Sequence, residues 1–254
     1  MTAVRKDQIH ALLKGIETGD PAAVAVINPG KYIQHNPQTH EGSEGLAVLF
    51  KRLSKTSPRV NIVRAFADGD YVFAHTEYDF ASRKIGFEVF RYENDLVVEH
   101  WDNIQPRQGP NPSGHGMVDG PTAATDLDRT ERNRDLVRSF VEDVLIPGRL
   151  EKLEQFVDAA GFTQHNPQMA DGLPALRAAL EAAPGTNAVI RYDRLHRVLA
   201  EGSFVLAVSE GSAGGFHSAL YDLYRLAAGK LVEHWDTIEA IPPRSAWKND
   251  NGKF

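Results

Sequence analysis

The first half of the chain changes from a helical to a strand-like pattern of apolar positions. Between residues 4 and 18, apolar side chains recur every three or four positions, which predicts an amphipathic helix. Asp20-Pro21 is an N-cap and first-turn pair and predicts a second, short helix. A short strand at residues 31–36, stopped by proline, and a third helix at residues 44–54 follow.

The remainder of this half has the pattern of β-strands. β-Branched and aromatic residues form runs that are separated by Asp-Gly or Asn-Asp turns. The predicted strands are residues 60–67, 71–80, 85–92 and 96–105. Helices followed by a meander of long strands predict an α+β fold, in which the helices pack on one side of a curved antiparallel sheet.

Two pentapeptides occur twice in the chain. QHNPQ at residues 34–38 recurs unchanged at 164–168, and VEHWD at residues 98–102 recurs at 232–236. Identical peptides in the same order and at nearly the same spacing indicate a duplication. The period, near 130 residues, is too long for a solenoid repeat, so each copy is predicted to be a domain.

The second copy predicts the same order of elements. Its helices are expected at residues 127–145, 150–159 and 174–182. Between the copies, eight of the twenty residues from 106 to 125 are glycine or proline, which is typical of a loop. The predicted domains are therefore residues 1–118 and 119–254.

Composition excludes several classes of protein. The net charge of −6, from 28 basic and 34 acidic residues, argues against nucleic acid as a partner. The absence of cysteine excludes disulfides, thiolate metal ligands and a cysteine nucleophile. No apolar run approaches the roughly 18 residues of a membrane span, and the first residues lack the apolar stretch of a secretory signal. The expectation is a soluble, cytoplasmic protein without membrane contact.

The repeated motifs resemble a known family. The QHNP strand, the strand with the pattern acid-x-aromatic-Arg and the terminal VEHWD strand are similar to those of the SnoaL-like group of the NTF2-like superfamily. This resemblance covers residues 3–118 and 126–254. It implies two cone-shaped α+β barrels, each a bent sheet wrapped around helices and a deep apolar pocket. Polyketide cyclases, ketosteroid isomerase and limonene epoxide hydrolase belong to the superfamily, and one fold hosts many reactions.

The resemblance also implies a mode of assembly. Single-domain relatives commonly pair through the sheet face that points away from the pocket. With both partners on one chain, we expect an internal pseudo-dimer related by a pseudo-two-fold axis, with further homo-oligomerisation left open.

Candidate acid/base residues lie on the terminal strand of each copy. Alternate side chains of a strand share a face, so His100 and Asp102 point one way and Trp101 the other; His234 and Asp236 repeat the arrangement. The resemblance implies that Asp102 and Asp236 are general acid/base residues, as in polyketide cyclases. The alternative is a paired carboxylate that only orients the neighbouring histidine.

Glu88 and Asp222 occupy a second matched position. Their strand resembles the one on which ketosteroid isomerase carries its oxyanion-hole aspartate, where a buried, protonated carboxyl group donates a hydrogen bond to an enolate oxygen. Glu88 departs from that pattern by one methylene and reaches further. The alternative is a surface carboxylate paired with a neighbouring arginine.

Three further histidines are candidates. The resemblance places the isomerase's base where this chain has Asn36, which cannot remove a proton, so His35 and its copy His165 are the titratable groups of that segment. A structural role for both is the alternative. His75 has no counterpart, because Val208 occupies the matching position; if His75 matters, the first copy is the active one.

The function predicted from these residues is acid/base catalysis without a cofactor. The substrate would be a small apolar carbonyl compound, and the reaction an aldol-type cyclisation, isomerisation or dehydration. The alternatives are a non-catalytic protein that binds a small ligand, and an epoxide hydrolase, for which Arg91 and Arg225 would have to face inward. His-x-Asp is part of a common iron-binding pattern, but no histidine follows His234, and no metal is predicted.

Overall fold

The chain forms two compact units. The computed structural model describes residues 2–181 and 190–254. The first unit comprises Met1–Arg107 together with Pro242–Phe254, and the second comprises Gln108–Ile241. None of the described helices has the length and apolar character needed to cross a membrane.

The first unit follows the predicted order of helices and strands. The apolar face of its first helix is buried, with Ile9, Leu12 and Leu13 almost fully covered, and it packs against the second strand of the sheet. Its elements are α1 (Thr2–Thr18), a 3-10 helix (Pro21–Val26), β1 (Ile33–Gln34), α2 (Gly42–Leu53), a 3-10 turn (Ser54–Thr56), β2 (Arg59–Asp68), β3 (Tyr71–Asp79), β4 (Arg83–Glu93), β5 (Leu96–Pro106) and a 3-10 turn (Arg244–Ala246).

The sheet of the first unit is mixed. Its strand order is β1-β5-β4-β3-β2, and β2 to β5 form an antiparallel meander. The two-residue β1 instead pairs in parallel with β5, and Gln34 lies opposite His100. The expected antiparallel sheet is thus wrong for this one strand, because helices and the whole meander separate β1 from β5 along the chain, and such crossovers allow parallel pairing.

The second unit repeats this architecture. The strand order β6-β10-β9-β8-β7 matches that of the first sheet, with β6 parallel to β10. Its elements are a 3-10 turn (Leu127–Arg129), α3 (Thr130–Phe140), a π-helical turn (Val141–Leu145), a 3-10 turn (Leu150–Lys152), α4 (Leu153–Phe156), β6 (Thr163–Gln164), α5 (Leu173–Glu181), β7 (Ile190–Glu201), β8 (Phe204–Ala213), β9 (Phe216–Ala227) and β10 (Lys230–Ala240). The predicted end of α5, residue 182, lies outside the described residues. The prediction of an α+β fold with two similar domains is confirmed.

The division into units differs from the predicted boundaries at two segments. Residues 108–118 follow β5 but belong to the second unit, and Pro242–Phe254 follows β10 but belongs to the first. Hydrogen bonds explain the exchange. Asn111 donates to the carbonyl oxygen of Gln164, and Asn251 donates to that of Gln34. Each tail therefore ends one copy of the repeat in sequence and covers the QHNPQ segment of the other.

Candidate functional site

A cavity of about 450 Å³ opens into the first unit. Side chains of α1 and α2, among them Leu12, Leu46 and Phe50, form an apolar wall. Strands β4 and β5 contribute polar side chains that converge on one region, here called the floor. A cavity of this size, apolar with a few convergent polar groups, is typical of small-molecule sites.

Three titratable residues form the floor. Glu88 on β4 lies directly opposite Asp102 on β5, and His100, two residues before Asp102, shares its face. All three are buried and line the cavity. One oxygen of each carboxyl group and one nitrogen of the imidazole lie within 4.8 Å of one another.

Gln34 determines which nitrogen of His100 carries a proton. The Oε1 atom of Gln34 accepts a hydrogen bond from the backbone N–H of Asn36 at 2.8 Å. It lies 3.1 Å from Nδ1 of His100, so that nitrogen must donate. Nε2 of His100 lies 2.8 Å from Oε2 of Glu88, and these two atoms therefore share one further proton.

Burial raises the pKa of Glu88 above its ordinary value. The contacts with His100 oppose this shift, and the nearby charge of Asp102 adds to it. The hydroxyl group of Tyr78 donates to Oε1 of Glu88 at 2.8 Å, while Oε2 faces His100. Both oxygens of Glu88 thus have protein partners, Tyr78 at Oε1 and His100 at Oε2.

Asp102 is held by two donors from different parts of the first unit. The side-chain amide of Asn36 donates to Oδ2 of Asp102 at 2.6 Å. The ammonium group of Lys253, which is only 3% exposed, lies 3.4 Å from Oδ1. Asn36 and Lys253 thus contact one oxygen of the Asp102 carboxyl group each.

Tyr32 adds a hydroxyl group to the lining of this cavity. The hydroxyl lies near the side chain of Gln34 and makes no hydrogen bond of good geometry to the described residues. Burial, followed by the negative charges of Asp102 and Glu88, raises the pKa of Tyr32 well above its ordinary value. The hydroxyl thus keeps its proton and can donate it to a ligand.

The structure places His35 and His165 away from the cavity. His35 stacks on Trp101 at 4.6 Å, on the face of β5 opposite His100, and its Nε2 lies 2.9 Å from Glu99. His165 makes the same stacking contact with Trp235 at 4.7 Å. Both were candidates for the site, and strand alternation explains why neither reaches it.

His75 also lies on the other face of the sheet. Its ring packs 4.7 Å from that of Phe87, and its Nδ1 lies 2.7 Å from the guanidinium group of Arg64. Glu88, the residue after Phe87, points to the cavity, so His75 cannot. Arg91 pairs with Glu99 on that same outer face and supplies no arginine to the floor, which disfavours the epoxide-hydrolase alternative.

The second unit reproduces the polar floor. His234 contacts Gln164 at 2.9 Å and Asp222 at 3.0 Å, and Asn166 donates to Asp236 at 2.5 Å. Tyr192 donates to the same oxygen of Asp222 that faces His234. Because Asp222 is shorter than Glu88, both bonds fall on Oδ1, and Oδ2 makes no hydrogen bond to the described residues.

Above this second floor, the residues that the structure describes leave a pocket of only about 20 Å³, bounded by Phe140, Phe162, Met169 and neighbouring side chains. By the repeat of the QHNPQ segment, Phe162 takes the place of Tyr32, and Met169 that of Thr39. The second floor therefore has the same kinds of ionisable groups, but the hydroxyl group of Tyr32 has no counterpart at residue 162.

Asp236 also lacks the ammonium group found beside Asp102. Lys253 follows Gly252, whose carbonyl oxygen accepts a hydrogen bond from Nδ1 of His35. In the second unit the carbonyl oxygen of Gly116 accepts the equivalent bond from His165. The residue after Gly116 is Met117, so methionine occupies the position of Lys253. Burial raises the pKa of Asp236 from 3.8 to about 6, against the opposing effects of His234 and Asn166. The two aspartates are thus equivalent in sequence and differ in their electrostatic surroundings.

The distances alone would allow either floor to hold a metal ion. In the first unit, the ammonium group of Lys253 beside Asp102 opposes a cation, and Glu88 and His100 already bind each other. The arrangement in the first unit is thus better suited to proton transfer than to metal binding.

Sequence reasoning missed four cavity residues of the first unit. Gln34 and Asn36 belong to the repeated pentapeptide, and that identity was a usable signal for both. Tyr32 and Tyr78 carried no such signal, because neither tyrosine recurs at the equivalent position of the second copy. Lys253 was missed as well, since its segment follows β10 in sequence but belongs to the first unit.

No family model and no curated protein matches the sequence. Among solved structures, the chain is similar to TsrD from Streptomyces laurentii, with 21% identity and a TM-score of 0.37, over 41% of this chain and 89% of that one. It is similar to a putative ketosteroid isomerase from Kribbella flavida, with 18% identity and a TM-score of 0.39, over 45% of this chain and 84% of that one. It is also similar to IdmH, a putative polyketide cyclase from Streptomyces antibioticus, with 16% identity and a TM-score of 0.35, over 39% of this chain and 91% of that one.

Proposed function

We propose that the first unit is an acid/base catalyst without a cofactor, acting on a small, mostly apolar carbonyl compound. The observation that carries this proposal is the convergence of Asp102, His100, Glu88 and the Tyr32 hydroxyl on one cavity of about 450 Å³. The apolar wall suits the carbon skeleton of such a substrate, and the floor offers both a carboxylate and a protonated donor.

The step is removal of a proton from carbon next to the carbonyl group. The C–H bond breaks, the proton passes to the carboxylate of Asp102, and the electron pair moves onto the carbonyl oxygen to give an enolate. Tyr32 donates a hydrogen bond to that oxygen and stabilises the developing charge. The enolate then takes up a proton, attacks a second carbonyl group or expels a leaving group, which correspond to isomerisation, cyclisation and dehydration.

The roles differ from the initial hypothesis at two residues. Glu88 was expected to donate a hydrogen bond to the substrate oxygen, but its Oε1 accepts from Tyr78 and its Oε2 shares a proton with His100, so Tyr32 is the better placed donor. His100 keeps an assisting role next to the floor carboxylates. The proton that it shares with Glu88 can shift towards either residue and so change the charge of the imidazole ring during the reaction. His35 takes no part in the proposed step, because it lies on the other face of the sheet.

Exchange of hydrogen for deuterium tests this step without knowledge of the product. A panel of apolar ketones that includes β-tetralone would be incubated with the protein in heavy water, and loss of the proton signal beside the carbonyl followed by NMR. We expect Asp102→Asn to remove protein-dependent exchange and Tyr32→Phe to reduce it about a hundredfold or more, the size found on loss of one oxyanion donor.

Asp236→Asn is the matched control and should exchange at the wild-type rate, because the described residues leave only about 20 Å³ above Asp236. Exchange by Asp102→Asn at the wild-type rate would contradict the assignment. Binding of these ketones by the wild type without any exchange would favour the non-catalytic alternative.

A further inference from the structure

The mouth of the first unit's cavity carries three cationic side chains. Arg52 comes from α2, Lys84 from β4 and Lys248 from the C-terminal segment, and all three line the cavity. Arg52 and Lys248 are exposed and Lys84 is partly exposed, whereas the acidic residues that line the cavity, Glu88 and Asp102, are buried on the floor. The cavity is therefore acidic at its floor, apolar along its wall and basic at its opening.

Arg52, Lys84 and Lys248 form no ion pair and no side-chain hydrogen bond with the residues that the structure describes. The chain as a whole carries a net charge of −6, so a cluster of cations at the mouth of the cavity is opposite in sign to the net charge of the protein. A basic rim around a low-dielectric opening attracts anions and raises their local concentration.

The second unit lacks this basic rim. Ser218 occupies the strand position of Lys84, as Asp222 occupies that of Glu88. The tail that covers the second unit's QHNPQ segment, residues 108–118, contains no lysine or arginine. The second unit thus lacks cations at these positions.

We propose that the ligand of the first unit carries an anionic group, a carboxylate, sulfonate or phosphate, which lies at the mouth against Arg52, Lys84 and Lys248. This inference rests on the proposed function for the inner end of the ligand and adds the chemistry of its outer end. The carbonyl group enters first and meets Asp102 and Tyr32, and the apolar body fills the cavity. The anionic group stays at the opening, where water still solvates it in part.

Two fluorescent probes separate the charge from the apolar body. Anilinonaphthalene sulfonate and phenylnaphthylamine share their ring system and differ by the sulfonate group. Both would be titrated into the wild type and into the triple variant Arg52→Gln/Lys84→Ser/Lys248→Gln. Since each partly exposed ion pair contributes modestly, we expect the Kd of the sulfonate probe to rise about tenfold, and that of the neutral probe to stay within about twofold.

The control variant removes the same number of charges elsewhere. Lys51→Gln/Lys55→Gln/Lys152→Gln should leave both Kd values unchanged, because these lysines do not line the cavity. An equal loss of affinity in the control variant, an equal effect on both probes, or no effect of the triple variant on the sulfonate probe would each overturn the proposal. Deuterium exchange by Asp102→Asn is independent of these outcomes, so a failure at the mouth is distinguishable from a failure at the floor.

Discussion

At the scale of single residues, Lys253 distinguishes the two floors. Its ammonium group lies 3.4 Å from Asp102, while Met117 occupies the matching position in the sequence of the second unit, after Gly116. The Lys253→Met variant therefore gives the first floor the surroundings of the second. A buried carboxylate without its cation is harder to ionise, so the variant should need a higher pH to reach full activity.

We expect the acid limb of the pH–rate profile for ketone exchange to move to higher pH in Lys253→Met, because the variant removes the ammonium group that lies 3.4 Å from Asp102. Activity would fall most at acid pH and recover as the pH rises. Lys253→Arg keeps the charge and should restore the wild-type profile, with thermal unfolding showing that both variants are folded at the assay temperature. A profile that does not move in Lys253→Met would show that the ammonium group does not control the base.

At the scale of elements, each sheet has a glycine where an added side chain would collide with its neighbours, but the two glycines lie on non-equivalent strands. In the first sheet, Tyr78 on β3 lies beside Gly86 on β4, where a Cβ atom would come within 2.8 Å of the tyrosine ring and 2.9 Å of Glu88. In the second sheet the glycine is on the other strand: an added Cβ at Gly211 on β8 would come within 1.9 Å of the carbonyl oxygen of Arg191 and 2.9 Å of Leu220 on β9. The tyrosine that donates to the buried acid is also on a different strand in each sheet. Tyr78 on β3 donates to Glu88, whereas Tyr192 on β7, which lies opposite Gly211, donates to Asp222.

Gly86→Ala should therefore destabilise the protein by about 1–3 kcal/mol, the usual cost of overpacking a core. Unfolding in denaturant would measure this change. Combining it with Tyr78→Ala should reduce the cost, because the two side chains compete for the same space. Gly109→Ala, whose added Cβ meets no atom within 4 Å, is the control. A cost no larger than that of the control would contradict this account of the packing.

The same comparison explains what the sequence could and could not predict. Helices, strands and the orientation of His100 and Asp102 follow from local periodicity, and the duplication follows from two repeated peptides. Tyr78 and Tyr192 were not predictable, because they stand at different strand positions and converge on the acid only in three dimensions. The volume of each cavity depends on side-chain sizes at many separate positions, such as Tyr32 in one unit and Phe162 in the other. No local sequence pattern predicts the combined effect of these sizes on the volume.

At the scale of the whole molecule, the duplication has left two similar floors under unequal cavities. If the second unit binds no substrate, its buried acid contributes to function only through folding. The pKa of Asp236 is raised from 3.8 to about 6, so between these pH values the folded chain keeps a proton that the unfolded chain has lost. This contribution to stability is complete below pH 3.8 and is lost as the pH rises to about 6.

Asp236→Asn should therefore make the protein more stable at neutral pH while ketone exchange stays at the wild-type rate. Asparagine is uncharged at every pH and still offers an oxygen to Asn166. The gain should be small near pH 4, grow up to about pH 6 and then level off at on the order of 3 kcal/mol, as a shift of this size implies. Unfolding in denaturant across this pH range would measure it, with the exposed Asp193→Asn as a control without such a gain. A loss of stability at neutral pH, or a loss of exchange, would instead mean that the charge on Asp236 is needed and that the second floor has kept a function of its own.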